Sequence, residues 1–244
     1  MSNYDDRVFE AFLEEGIISS VEGIVKSGKE AMVFRCEPGP CVTVPSVAVK
    51  VYKDIEERSF RNMAGYLDGR IGRTIRKRRD ILHVFSDAAS MQGCWVEAEF
   101  GALSELSQAG LPVPRPYLRT GKAMAMELIE EDGEVAAQLV HAGLPKDALP
   151  DLYAGLVESV IGMLRLDLIH GDLSPYNILV RDGRLVMIDF PQAIDARYHS
   201  QAEAMFARDL GNVSRWFEKA GVPAAAGHEG VAREAWALYE RNRL

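Results

Sequence analysis

The sequence predicts an α+β fold in two lobes, the first an antiparallel sheet with one main helix and the second mostly helical. Three observations predict it. Strand-like runs divided by turns fill the first half (Ile17 to Val25, Ala31 to Cys36, Val47 to Tyr52). Apolar residues at helical spacing fill the second (Asp151 to Asp167, Ala202 to Lys219, Glu229 to Arg241). Between those helices, Asp172, Asn177 and Asp189 bracket a hairpin pattern.

Composition sets the bounds. A chain of 244 residues that is 48% hydrophobic can bury a substantial core, and one compact two-lobed unit is expected. The formal charge of −8 argues against general affinity for nucleic acid but allows a local basic patch. No run approaches the roughly 18 apolar residues needed to span a bilayer, and Met1 to Glu15 is acidic rather than signal-like. The expectation is a soluble, cytoplasmic protein with no membrane contact. Cys36, Cys41 and Cys94 are odd in number and lack metal-type spacing, so they read as free thiols.

Residues 5–15 place Val8, Phe9, Phe12 and Leu13 on one helical face, closed by Gly16. Two strands follow, joined by the turn Ser27-Gly28-Lys29-Glu30. The segment Gly23 to Glu30 nearly matches a phosphate-binding P-loop, but Glu30 stands where Ser or Thr must hold magnesium, and Ala31 to Phe34 is β-like where a P-loop opens a helix. It reads instead as a hairpin loop folded over nucleotide phosphates, with Gly28 allowing close backbone approach. Val47 to Tyr52 is a buried-type strand with Lys50 at its centre, where a charge is costly unless paired. Lys50 therefore needs an anionic partner, and the helix about Gln92 to Gln108 carries two candidate glutamates. There Glu99 shares the stripe of Trp95 and Leu103, whereas Glu97 aligns with Gly93 and Gly101. A polar insert, Asp54 to Ser90, carries Arg70, Arg73, Arg76, Lys77, Arg78 and Arg79; it reads as a solvated loop or as a docking patch for RNA, a ribosome or an acidic partner.

Leu111 to Pro116 cannot be helix and leads into the strand Ala123 to Ile129, followed by acidic Glu130, Glu131 and Asp132. That shift divides a nucleotide-binding lobe, residues 1–129, from a second lobe, residues 130–244. Main-chain groups of Glu127, Leu128 and Ile129 are expected to meet adenine. A helix from Asp151 then delivers the chain to His170 and the loop beyond it.

The chemistry concentrates in that loop. Asp182-Gly183 separates the apolar runs Ile178 to Val180 and Leu185 to Ile188, the signature of a hairpin. Its open ends bring Asn177 and Asp189 to opposite or diagonal positions, with backbones on the order of 5 Å apart. Two hard oxygen ligands there suit Mg²⁺, which completes its shell with water and phosphate. Asp172 is placed to orient a hydroxyl toward a phosphoryl group, which is the arrangement of a phosphotransferase.

The pattern resembles the catalytic loop and metal-binding Asp of the protein-kinase-like superfamily, with two departures: Gly171 replaces the usual Arg, and Pro191 stands where Gly would follow Asp-Phe. Ser27-Gly28-Lys29-Glu30-Ala31, Val47-Ala48-Val49-Lys50, Ile169 to Ser174 with Asn177, Ile188-Asp189-Phe190-Pro191-Gln192, and Arg208-Asp209 with Asn212-Val213 together are similar to the RIO family of atypical serine kinases, as a prokaryotic member. The resemblance spans about Ile17 to Ala220. It implies a reduced kinase fold without a long activation segment, in keeping with the short chain after Asp189 and the lack of Ala-Pro-Glu. It also implies ATP and Mg²⁺, with Mn²⁺ as an alternative ion. By resemblance, Lys50 meets the phosphates and Glu99 pairs with it, Asp172 is catalytic, Asn177 and Asp189 hold the metal, and Ser27 and Lys29 line a phosphate-facing loop. A mobile loop is implied within the insert.

Three functions follow from this reading. The first is ATP-dependent transfer to a protein serine, with autophosphorylation. The second is a small-molecule kinase of the aminoglycoside or choline type, which the Ser27 to Ala31 turn argues against. The third is an ATPase switch, phosphorylated at Asp189, that binds ribosome or RNA partners.

Overall fold

A five-stranded sheet with a fully buried central strand builds the first lobe. In the computed structural model, residues 7–53 and 88–244 are described, the latter with side chains from 93 onward. Helix α1 (Arg7–Glu14) is followed by strands β1 (Ile18–Ser27), β2 (Ala31–Pro38) and β3 (Val47–Tyr52). Helix α2 (Ala88–Gln108) comes next, then β4 (Pro116–Thr120) and β5 (Ala123–Glu127). The five strands form one antiparallel sheet in the order β1-β2-β3-β5-β4. All six residues of β3 are buried because the sheet is covered on both faces. Val47, Val49 and Val51 pack with Phe9 and Phe12 of α1 on one side, while Tyr52 joins Val96, Leu103 and Leu106 of α2 on the other. Gly16, at φ +64°, ends α1 in the left-handed region that favours glycine.

Two sequence expectations need correction. Leu13 is 43% exposed rather than packed with Phe9 and Phe12. Strand β4 was not foreseen: its leading Pro116 sits on the edge of the sheet, where a missing N–H costs no ladder bond.

A short hairpin, β6 (Glu130–Glu131) with β7 (Glu134–Val135), follows β5. Helix α3 (Leu149–Arg165), β8 (Leu168–Ile169), the hairpin β9 (Ile178–Arg181) with β10 (Arg184–Met187), and β11 (Ile194–Asp195) follow. Helices α4 (Ala202–Lys219) and α5 (His228–Glu240) complete the described chain. Leu156, Val160 and Leu164 of α3 share one core with Phe206, Leu210, Val213 and Phe217 of α4 and Trp236 of α5. Only residues 190–201 lie between Asp189 and α4, so the expected short segment is present.

The lobes are stitched along one edge. Arg35 of β2 binds Glu130 and donates to the Gly133 carbonyl at 2.9 Å. Glu127 of β5 binds Arg181 of β9 at 2.5 Å. Cys36, Cys41 and Cys94 are free thiols. Among the described residues no helix is long and apolar enough to cross a membrane. The basic run Arg70 to Arg79 lies outside the described residues.

Candidate active site

Strand β3, helix α2 and the turn after β10 converge on one ion cluster. The Lys50 Nζ donates to Glu99 Oε1 and to Asp189 Oδ1, each at 2.7 Å. The Phe190 N–H also donates to Glu99 Oε1, at 3.2 Å. Lys50 and Glu99 are buried, whereas the Asp189 side chain is 42% exposed. Burial opposes the Lys50 charge, but Glu99 and Asp189 more than compensate and hold the ammonium protonated well above its usual range. Asp189 is likewise resisted by burial, yet Lys50 keeps its carboxyl below the usual range. Burial prevails for Glu99, whose carboxyl is pushed up despite Lys50. Glu99 Oε2 is buried with no partner among the described residues. Glu97 points elsewhere and pairs with Arg119.

The loop after β8 is held by backbone contacts. Gly171, at φ +81°, donates its N–H to Asp209 Oδ2 at 2.6 Å. A Cβ at Gly171 would lie 2.1 Å from the Gln192 carbonyl oxygen, so no larger residue fits. This explains the glycine where a kinase-like loop usually carries Arg. Arg208 bonds the Gly171 carbonyl, and Asn212 Nδ2 donates to the Leu173 carbonyl at 3.1 Å. His170 is buried, stacks on Phe190 at 4.6 Å and bonds the Ile188 carbonyl at 3.1 Å. Burial pushes its pKa down to about 4, so the imidazole is neutral and fixed.

Asp172 is exposed on this loop. Partial burial and the Asp189 charge push its carboxyl up, against the Arg208 charge, so the two carboxylates lie within each other's field. Asn177 Nδ2 donates to the Asp172 carbonyl at 2.9 Å, and the Ile188 N–H donates to the Asn177 carbonyl at 2.9 Å. Met187 pairs with Ile178, so Asn177 and Asp189 flank the hairpin's open end diagonally. Asp189 itself sits at φ +71°, a conformation a non-glycine residue adopts at a cost of about 1–3 kcal/mol.

The remaining sequence-chosen residues lie at the β1–β2 turn and in the stretch from the end of β5 to β6. Ser27 and Lys29 are exposed, and no hydrogen bond joins them to Lys50, Asp172 or Asp189 among the described residues. The turn is closed by Gly28 N–H to the Ala31 carbonyl at 2.9 Å and by Lys53 Nζ to the Gly28 carbonyl at 2.6 Å. In the linker, the Glu127 N–H bonds Arg115, the Leu128 N–H bonds Ser46, and the Ile129 carbonyl accepts from Ala136. Those groups are engaged within the protein, and the Ile129 N–H makes no hydrogen bond among the described residues.

Asp209, Arg208 and Asn212 were not assigned a role from sequence beyond their motif. A signal existed. Asp209 lies three residues after Phe206 and four before Val213, on the buried stripe of α4, the same phase argument that singles out Glu99.

A family model described as the RIO domain matches residues 30–229. Serine/threonine-protein kinase RIO1 of Caenorhabditis elegans is 32% identical over 212 residues, covering 86% of this chain and 40% of that protein. The RIO-type serine/threonine-protein kinase Rio1 of Haloferax volcanii is 34% identical over 228 residues, covering 91% of this chain and 73% of that one. This chain thus spans well under half of the nematode relative and about three quarters of the archaeal one. The crystal structure of the Chaetomium thermophilum Rio2 kinase-ADP/Mg²⁺-phosphoaspartate complex has the same fold, with a TM-score of 0.64 at 20% identity over 97% of this chain and 72% of that chain. On the domain match and the identity to the archaeal kinase, the chain belongs to the RIO family.

Proposed function

We propose that this chain transfers the terminal phosphoryl group of ATP to a serine of a protein substrate, itself included. The observation that carries the proposal is Lys50 held between Glu99 and Asp189, with Asp172 within the field of Asp189. Relatives named as serine/threonine-protein kinases and a fold neighbour named with ADP and Mg²⁺ support it. The proposal takes residues 1–129 as the nucleotide-binding lobe and 130–244 as the lobe carrying the catalytic loop.

The donor set fits Mg²⁺ or Mn²⁺. Asp189 gives one oxygen to Lys50 and exposes its carboxylate, and Asn177 commits its Nδ2 to the Asp172 carbonyl, leaving its amide oxygen for a cation. Among the described residues there is no cluster of three or more His, Cys, Asp or Glu, which suits an ion that takes few protein oxygens. When bound, such an ion neutralises phosphate charge.

The chain's own groups do the rest. Lys50 meets the inner phosphates, and Glu99 fixes its position. Asp172 accepts a hydrogen bond from the substrate hydroxyl and aims it at the terminal phosphorus. Ser27, Gly28 and Lys29 border the phosphates, while the linker from Glu127 through Leu128 to Ile129 borders the base, with the Ile129 N–H as donor. Catalysis on this reading is mostly positioning and charge neutralisation.

The test is incubation with γ-labelled ATP and Mg²⁺, beside Asp172→Ala. Acid-stable label on serine that falls at least about a hundredfold in the variant is the expected result. Label only in an acyl phosphate, released by hydroxylamine, would favour an ATPase switch at Asp189. Undiminished serine labelling in the variant would refute the role of Asp172.

A further inference from the structure

Strand β1 carries a second cation over the same cleft. Lys26 pairs with Val33 of β2, and Val33 pairs with Lys50 of β3. Residues directly opposite in adjacent strands project from the same face of a sheet. Lys26 therefore shares the cleft-facing side with Lys50, two strand spacings away, or about 10 Å. Unlike Lys50, it is exposed and makes no ion pair among the described residues.

The turn just beyond Lys26 is fixed rather than loose. Gly28 N–H closes it on the Ala31 carbonyl, Lys53 clasps the Gly28 carbonyl, and a Cβ at Gly28 would already crowd the Ala31 oxygen at 3.2 Å. Lys26 and Ser27 are paired with Val33 and Met32 just beyond a register shift between Ile24 and Lys26, so the backbone under Lys26 is held by the β1–β2 ladder. Lys50 is buried and committed to two carboxylates, whereas Lys26 is exposed.

We propose that Lys26 binds the terminal phosphate of a nucleoside triphosphate whose inner phosphates meet Lys50. This inference rests on the nucleotide reading of the site and goes beyond it by assigning triphosphate-over-diphosphate discrimination to a residue on β1. A lysine ammonium is a mobile point charge with three donors, suited to a phosphate that must leave its first position during transfer.

Isothermal titration of the full chain with ATP and with ADP, each with Mg²⁺, separates the outcomes. Lys26→Ala is expected to weaken ATP binding about tenfold while changing ADP binding less than about twofold, and Lys26→Arg to keep most of the ATP affinity. Because Lys26 is exposed, the thermal midpoint of both variants should match that of the wild type. Equal weakening of both nucleotides, or no weakening of either, would overturn the proposal. Wild-type protein that binds neither nucleotide would overturn the functional reading itself, and that result is seen before any variant is compared.

Discussion

Two charged networks sit in this protein, and they are built on opposite principles. In the cleft, Lys50 joins Glu99 and Asp189, yet Glu99 keeps a buried oxygen without a partner among the described residues and Asp189 keeps 42% of its side chain exposed. Beneath the second lobe, Asp195 is 2% exposed and saturated by Arg197, through Nε at 3.0 Å, Nη2 at 2.7 Å and the backbone N–H at 3.0 Å. Asp167 joins that network through Arg197 Nη1 at 3.2 Å and the Tyr239 hydroxyl at 2.6 Å, tying α5 to the β8–β11 pair. A saturated network holds elements together. One with spare oxygens facing a cleft is arranged for something that arrives.

The comparison can be broken by removing one member from each. Lys50→Ala leaves Glu99 buried without its cation and should cost about 3–5 kcal/mol in urea unfolding, with transfer abolished. Asp195→Asn should cost only about 1–2 kcal/mol, since Arg197 is 45% exposed and can turn to water, and transfer per folded molecule should be unchanged. A larger loss in the second variant would reverse the distinction.

Gly171→Ala tests the scaffold under Asp172. Positive φ and the Gln192 carbonyl together should cost roughly 2 kcal/mol or more, and transfer should fall even where the protein is folded. An unchanged thermal midpoint would show that the close approach is relieved without cost.

The smallest effect is the pH response of the wild-type protein, because two groups oppose each other. His170 has its pKa lowered from 6.5 to about 4, so the unfolded chain takes up a proton first and stability is lost as pH falls from 6.5 through 4. Asp209 is raised from 3.8 to about 6, chiefly by burial against the Gly171 and Arg208 contacts. Its contribution is fully present below 3.8 and lost as pH rises through 6, the opposite slope over nearly the same window. Each is on the order of 3 kcal/mol. Wild-type stability should therefore change little between pH 6.5 and 4, while Asp209→Asn should lose about 3 kcal/mol on the same acidification. A flat profile in that variant would contradict the His170 shift.

What the sequence disclosed divides along the same line. Lys50 was legible because a charge inside an apolar strand demands a partner, and helical phase picked Glu99 over Glu97. The hairpin around Asp182-Gly183 was legible because a two-residue turn fixes its own register. Strand β4 was not, since its burial is partial throughout and its edge position is a tertiary fact. Strands β8 and β11 have two residues each, too short for any period to show. The glycine at 171 stood out as a departure, but its cause, the Gln192 carbonyl, comes from a residue brought close by the fold. Lys26 carries no sequence signal of its own, because only the strand register puts it on the face of Lys50.

The most direct test of the account compares Asp172 and Asp189, the two acidic groups within each other's field. Mg-ATP affinity should be nearly unchanged in Asp172→Ala and at least about tenfold weaker in Asp189→Ala, since the first orients the acceptor and the second serves the metal and Lys50. Equal losses in both variants, or a loss confined to Asp172→Ala, would contradict the division of labour proposed for the site.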